Sequence, residues 1–225
     1  MHQSFLSPNR ELALSHLSTQ HPSRLRVVSQ TFEQIDGCLG AFERHSPAGP
    51  FATACGVALV KGKNFAVCSF GLIADGYGQE SGVLLRLLVE HIELLNYLEK
   101  FPDEAGRALE NKLPTAGARA MRINGKFKFL RDFLNENSSH GSFSDHSVGH
   151  VRNRDGSINK RPNFGATTFD ANFRLTAVFT IFLLRAAVEC IRPVDGPSFD
   201  DHAKLFDKLI GRARDVFNIS ANEEA

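Results

Sequence analysis

Residues 76–100, GYGQESGVLLRLLVEHIELLNYLEK, constrain the fold of this chain more than any other stretch. Val83, Leu84, Leu85, Leu87, Leu88, Val89, Ile92, Leu94, Leu95, Tyr97 and Leu98 make it apolar almost all the way round. A helix of that kind belongs in the centre of a helical domain rather than on its rim. Set into it are Arg86, Glu90 and Glu93, four and three residues apart and so on one helical face. Charges on a core helix need partners, because an unpaired buried charge is strongly destabilising.

The rest of the chain reads as helices around this one. Residues 1–23 are polar and hold Pro8 and Pro22, which suits a tail or a short loose helix. From 23 to 44, Leu25, Val28, Phe32, Ile35, Leu39 and Phe42 recur at helical steps, and HSPAGP then breaks the chain. The apolar runs 51–60 and 64–74, parted by Lys-Gly-Lys, read as two short helices or one kinked helix. Residues 103–113 form a short amphipathic helix, stopped by Pro114, with acids in the first turn where the helix dipole favours them. Around Asn124-Gly125 the pattern suits a β-hairpin or a helix. The reading adopted is a loop as far as Asn124 and a helix from 125 to about 135. Residues 138–166 are a long Ser/Gly/Asn/His loop, and 167–191 return to a strongly apolar helix. A last amphipathic helix spans 198–217, with Ser198 as N-cap and Asp200 and Asp201 in its first turn. The expected fold is all-α, a bundle of six or seven helices around a central helix at about 79–100. It forms one domain over 24–218, with tails at 1–23 and 219–225.

Composition bounds the function. The chain has 225 residues, 42% of them apolar and 23% charged, as in an ordinary globular protein. A net charge of +1 argues against a whole-surface polyanion binder. The charge is uneven, however: 107–161 carries eleven basic and five acidic residues, while the remainder is net −5. The four cysteines, at 38, 55, 68 and 190, are too scattered for a disulfide framework or a zinc cluster. The first residues lack the basic start and apolar run of a secretory leader. The apolar stretch that comes nearest to spanning a membrane, 173–191, is interrupted by Arg174, Arg185 and Glu189. The expectation is a soluble cytoplasmic protein with no membrane partner.

Two regions could carry binding chemistry. Arg119, Arg122, Lys126 and Lys128, then Arg152, Arg154, Lys160 and Arg161, would suit the phosphates of RNA or of a nucleotide. A solvated basic face is the plain alternative, and Phe127 and Phe129 between these residues read as core. His140, His146 and His150 with Asp145 could hold a divalent metal if 146–150 were helical. The Gly/Ser surroundings favour a polar loop instead, so no cofactor is expected. No Gly-x-x-x-x-Gly-Lys loop, dinucleotide fingerprint or Gly-x-Ser-x-Gly elbow occurs.

The run Gly-Tyr-x-x-Glu-Ser, Leu-Leu-Arg-x-Leu-x-Glu, Leu-x-Tyr-Leu, followed by Phe-Leu-Asn-x-x-Ser-Ser-His at 133–140, resembles bacterial all-helical proteins of a domain-of-unknown-function family, distantly HEPN-like. The resemblance implies a helical bundle, a homodimer, and a binding role for RNA, a nucleotide or a protein partner. Arg86, Glu90 and His140 would then make a polar cluster at the core's edge. Many HEPN proteins are ribonucleases whose signature is Arg, four to six residues, then His, and Arg86 and His91 have that spacing. A metal-independent ribonuclease of a phage-defence or toxin system is therefore the catalytic alternative. Histidine would move the proton and arginine would stabilise the phosphorane. Here Leu87 stands where a polar residue usually follows the arginine. Five helical residues also set the two side chains about 140° apart. The plain alternative is that Arg86 pairs with Glu90 and His91 faces elsewhere.

Overall fold

The computed structural model describes residues 9–139, 151–152, 155–159 and 164–219. Among them the chain is all-α, with nine α-helices and no strand. These are α1 (Asn9–Gln20), α2 (Pro22–His45), α3 (Pro50–Ala74), α4 (Gly78–Lys100), α5 (Ala105–Leu109), α6 (Ala116–Arg122), α7 (Lys128–Leu134), α8 (Ala166–Ile191) and α9 (Gly196–Phe217). Helix α4 packs on α3 and α8, which also pack on each other, and α2 lies against both. Helix α9 closes the bundle over α2 and α8, while α6 and α7 lean on α4. No residue of α4 from Ser81 to Leu98 is exposed, which explains a helix apolar on every side.

The Lys-Gly-Lys run does not break the helix: α3 passes straight through it. Gly62 is buried, and a Cβ there would stand 2.8 Å from Leu183 Cδ1 and 3.3 Å from His91 Cβ. Glycine therefore serves close approach of α3 to α8 and α4 rather than a turn. Among the described residues α3 is the helix long and apolar enough to cross a membrane, whereas the sequence pattern places the nearest approach to such a span, interrupted by charges, at 173–191. In the bundle one face of it meets α2, α4 and α8, while 33% of the apolar span is buried and Val57, Val60 and Val67 stay exposed.

The expected loop up to Asn124 contains α6, capped by the Thr115 hydroxyl, which accepts from Ala118 N at 3.3 Å. Asn124 takes a left-handed φ of 53°, with Gly125 N donating to Ala120 O at 2.7 Å and Asn124 N to Met121 O at 3.2 Å. That is a Schellman helix end. The Asn-Gly pair signalled a left-handed residue correctly, and the residue terminates a helix instead of turning a hairpin. Gly76, Asn111 and Asn218 end α3, α5 and α9 with the same 6→1 bond. Helix α7 starts at Lys128, three residues later than expected.

Two smaller corrections concern the ends of the chain. Asp195, rather than Ser198, caps α9: its carboxylate accepts from Ser198 N at 3.2 Å and from Ser198 Oγ at 2.6 Å. Helix α1 is docked rather than loose, with Ala13 and Leu17 buried. Arg10 holds the Asp75 carboxylate through two bonds of 2.6 and 2.8 Å.

Candidate ligand-binding pocket

The charged stripe of α4 divides its partners. Arg86 pairs with Glu90 at 3.0 Å, both half-buried. Glu93 is sealed, with 3% of its side chain exposed, and reaches Arg131 of α7 at 2.7 Å. One carboxylate oxygen takes that bond, while Glu93 Oε1 is buried without a partner. Gly125 makes room for it, since a Cβ there would stand 2.7 Å from Oε1. Burial pushes the Glu93 carboxyl up from its ordinary range, and the Arg131 charge opposes the rise.

His91 does not join Arg86. Its Nδ1 lies 2.8 Å from Leu87 O and its ring packs against Phe65, on the α3 side of α4. Burial lowers its pKa, so the neutral ring is favoured there. Five residues of helix therefore separate the two groups onto different neighbours.

The arginines expected to hold phosphate are largely engaged within the fold. Arg119 donates to Pro114 O at 2.6 Å, and desolvation lowers its pKa. Arg122 donates to the Tyr97 hydroxyl at 2.5 Å and stacks 4.5 Å over the Phe101 ring. Arg152 is exposed beside an isolated antiparallel bridge to Ile158. Arg154, and the metal candidates His140, Asp145, His146 and His150, lie outside the described residues.

Lys126 is different. It sits on the rim of a cavity of about 760 Å³ between α4, the α6–α7 turn and α8. Ile92, Leu175, Val178, Phe179, Phe182 and Ala186 give it an apolar wall, and Phe127 closes one side. The Phe127 ring lies 5.3 Å from that of Phe179 and 5.9 Å from that of Phe182. Asn96 and Asn124 supply neutral polar groups, and Glu93 also lines the cavity. Of the other charged lining residues, Glu189 is tied to Arg192 at 2.9 Å and Arg174 donates to Phe217 O at 2.6 Å, while Glu99 and Arg185 complete a lining of three acids and four bases. Among the described residues Lys100 and Lys126 have no carboxylate partner; Lys100 lies 5.9 Å from the Phe101 ring. The arrangement can take an apolar body against the aromatic wall and an anionic group at the lysine rim.

No family model, curated protein or solved structure matches this chain.

Sequence reasoning reached Lys126 and Glu93 but missed the α8 side of the cavity. The signal was present: Arg174 and Arg185 interrupt an otherwise apolar helix, and Leu175, Val178, Phe179 and Phe182 recur beside them at helical spacing.

Proposed function

We propose that this protein binds a small amphipathic anion, such as an aryl or alkyl phosphate or carboxylate, in the pocket between α4 and α8. The carrying observation is an aromatic-walled cavity rimmed by Lys100 and Lys126, two lysines that pair with no carboxylate among the described residues. Its volume lies within the roughly 300–1,000 Å³ of pockets that enclose small ligands, which are mostly apolar with a few placed polar groups. This narrows the phosphate-bearing ligand expected from the basic region: Lys126 serves it, while Arg119 and Arg122 hold the fold. A ribonuclease would need Arg86 freed from Glu90 and a histidine beside it, and the described residues bring none there.

The test is a thermal-shift panel of aryl phosphates, alkyl carboxylates, nucleoside monophosphates and short RNA on the wild-type chain and Leu175→Trp, which sets a larger ring across the apolar wall. Amphipathic anions should raise the melting temperature of the wild type, as ligands of the native state do, and leave the variant unmoved. Equal shifts in both proteins, or a shift with RNA alone, would refute the pocket.

A further inference from the structure

We infer that His16, His21 and Asp170 form a binding site for a divalent transition-metal ion of the zinc class, where α1, α2 and α8 meet. His16 lies in the last turns of α1, His21 is the residue between α1 and α2, and Asp170 lies near the start of α8. Three separate segments thus deliver one set of donors. His16 Nε2 stands 3.0 Å from Asp170 Oδ1 and His21 Nε2 stands 3.1 Å from Asp170 Oδ2. The three ligand atoms all lie within 4.8 Å of one another. Tetrahedral zinc, with bonds of about 2.0–2.2 Å, sets its ligands roughly 3.4 Å apart. Both imidazole–carboxylate separations fall just short of that value and the whole donor set lies within 4.8 Å, so small side-chain rotations suffice.

The donor chemistry selects the ion. Two imidazoles and one carboxylate suit zinc and its neighbours better than calcium or magnesium, which prefer all-oxygen shells. Three protein ligands leave the fourth position open to water. The surroundings hold the rings in place: His16 meets His21 edge-on at 5.1 Å, Phe164 at 5.7 Å and Phe169 at 5.9 Å. The side chains remain accessible, with 18%, 24% and 28% exposure for His16, His21 and Asp170. Arg24 Nη1 lies 3.7 Å from Asp170 Oδ1, and no hydrogen bond satisfies it. Its charge opposes a cation at Asp170. A metal-free clasp, with both imidazoles bonded to Asp170, is the competing account, and the two differ in their response to zinc.

The experiment strips the untagged full chain with chelator, then titrates Zn²⁺ against a chromophoric competitor and Co²⁺ by visible absorption. The expected result is one ion per chain, with visible bands of four-coordinate cobalt. Affinity should fall at least about tenfold in His16→Gln, His21→Gln and Asp170→Asn. It should rise in Arg24→Gln and stay unchanged in His146→Ala. Circular dichroism checks each variant for folding, and the cobalt spectrum of the wild type decides coordination without any variant. Failure to take up zinc would overturn the site. So would uptake that survives His16→Gln and is lost in His146→Ala.

Discussion

Removing Arg131 should expose what the buried stripe of α4 costs when it is left unpaired. In Arg131→Met the aliphatic volume is kept, but Glu93 loses the one side chain among the described residues that bonds its carboxylate. Glu93 is 2% exposed and already has one oxygen without a partner, so water cannot replace the lost contact cheaply. Breaking a buried pair by deleting one member costs about 3–5 kcal/mol. For a chain of this size each kcal/mol shifts the melting temperature by about 2–4 °C, so the expected drop is roughly 6–20 °C. The pH dependence has a definite sign. Burial already raises the Glu93 pKa above its ordinary 4.5, and loss of the arginine charge raises it further. The native state then holds a proton that the unfolded chain releases, so the stability contribution is present at acid pH and is lost as pH rises through the native pKa. The gap between variant and wild type should be widest near neutrality and narrow toward pH 4.5. Urea unfolding followed by circular dichroism across that range measures it. A loss below about 1 kcal/mol, the size of a surface ion pair, with no dependence on pH would refute the buried-charge argument.

Other outcomes follow from the packing and from His91. Gly211 of α9 has nothing within 4 Å of a new Cβ, so Gly211→Ala should stabilise by up to about 1 kcal/mol through helix propensity. Gly62→Ala should instead destabilise, because its Cβ would meet the buried Leu183 at 2.8 Å and overpacking costs about 1–3 kcal/mol. Chemical denaturation of the pair checks the contrast, and stabilisation by both would contradict it. His91 is favoured neutral in the fold, so the unfolded chain takes up its proton first and stability falls as pH drops below 6.5 toward the lower native pKa. His91→Gln should flatten that decline in the urea midpoint. His202, whose pKa burial also lowers, keeps part of it, and an unchanged slope would count against the assignment.

The fold was legible where the signal was local. Helix α4 declares its central place through its own eleven apolar residues, and α2, α8 and α9 through their stripes. Asn124-Gly125 was ambiguous for a physical reason: a left-handed residue serves a hairpin turn and a Schellman end equally well, and only the bond to Ala120 O decides. Gly62 misled for the same kind of reason, since its role is set by Leu183, over a hundred residues away. The site was legible only in halves. Glu93 announced that it needed a partner but could not name Arg131, and Lys126 gave no hint of Phe179 and Phe182 across the cavity. His16 and His21 are close in sequence, yet the Asp170 that joins them lies about 150 residues on. Such pairings belong to tertiary packing, which no periodicity encodes.

The most direct test of the pocket is a fluorescence titration with anilinonaphthalene sulfonate, an aromatic body bearing one anionic group. The wild type, Leu175→Trp, Lys126→Glu and Lys61→Glu are compared, with Lys61 exposed on α3 and outside the cavity. The expected result is saturable binding of one probe per wild-type chain. It should be lost in Leu175→Trp, weakened in Lys126→Glu and unchanged in Lys61→Glu, with all four proteins equally folded. Equal binding by all four, or no binding by the wild type, would contradict the assignment of this cavity as the functional site.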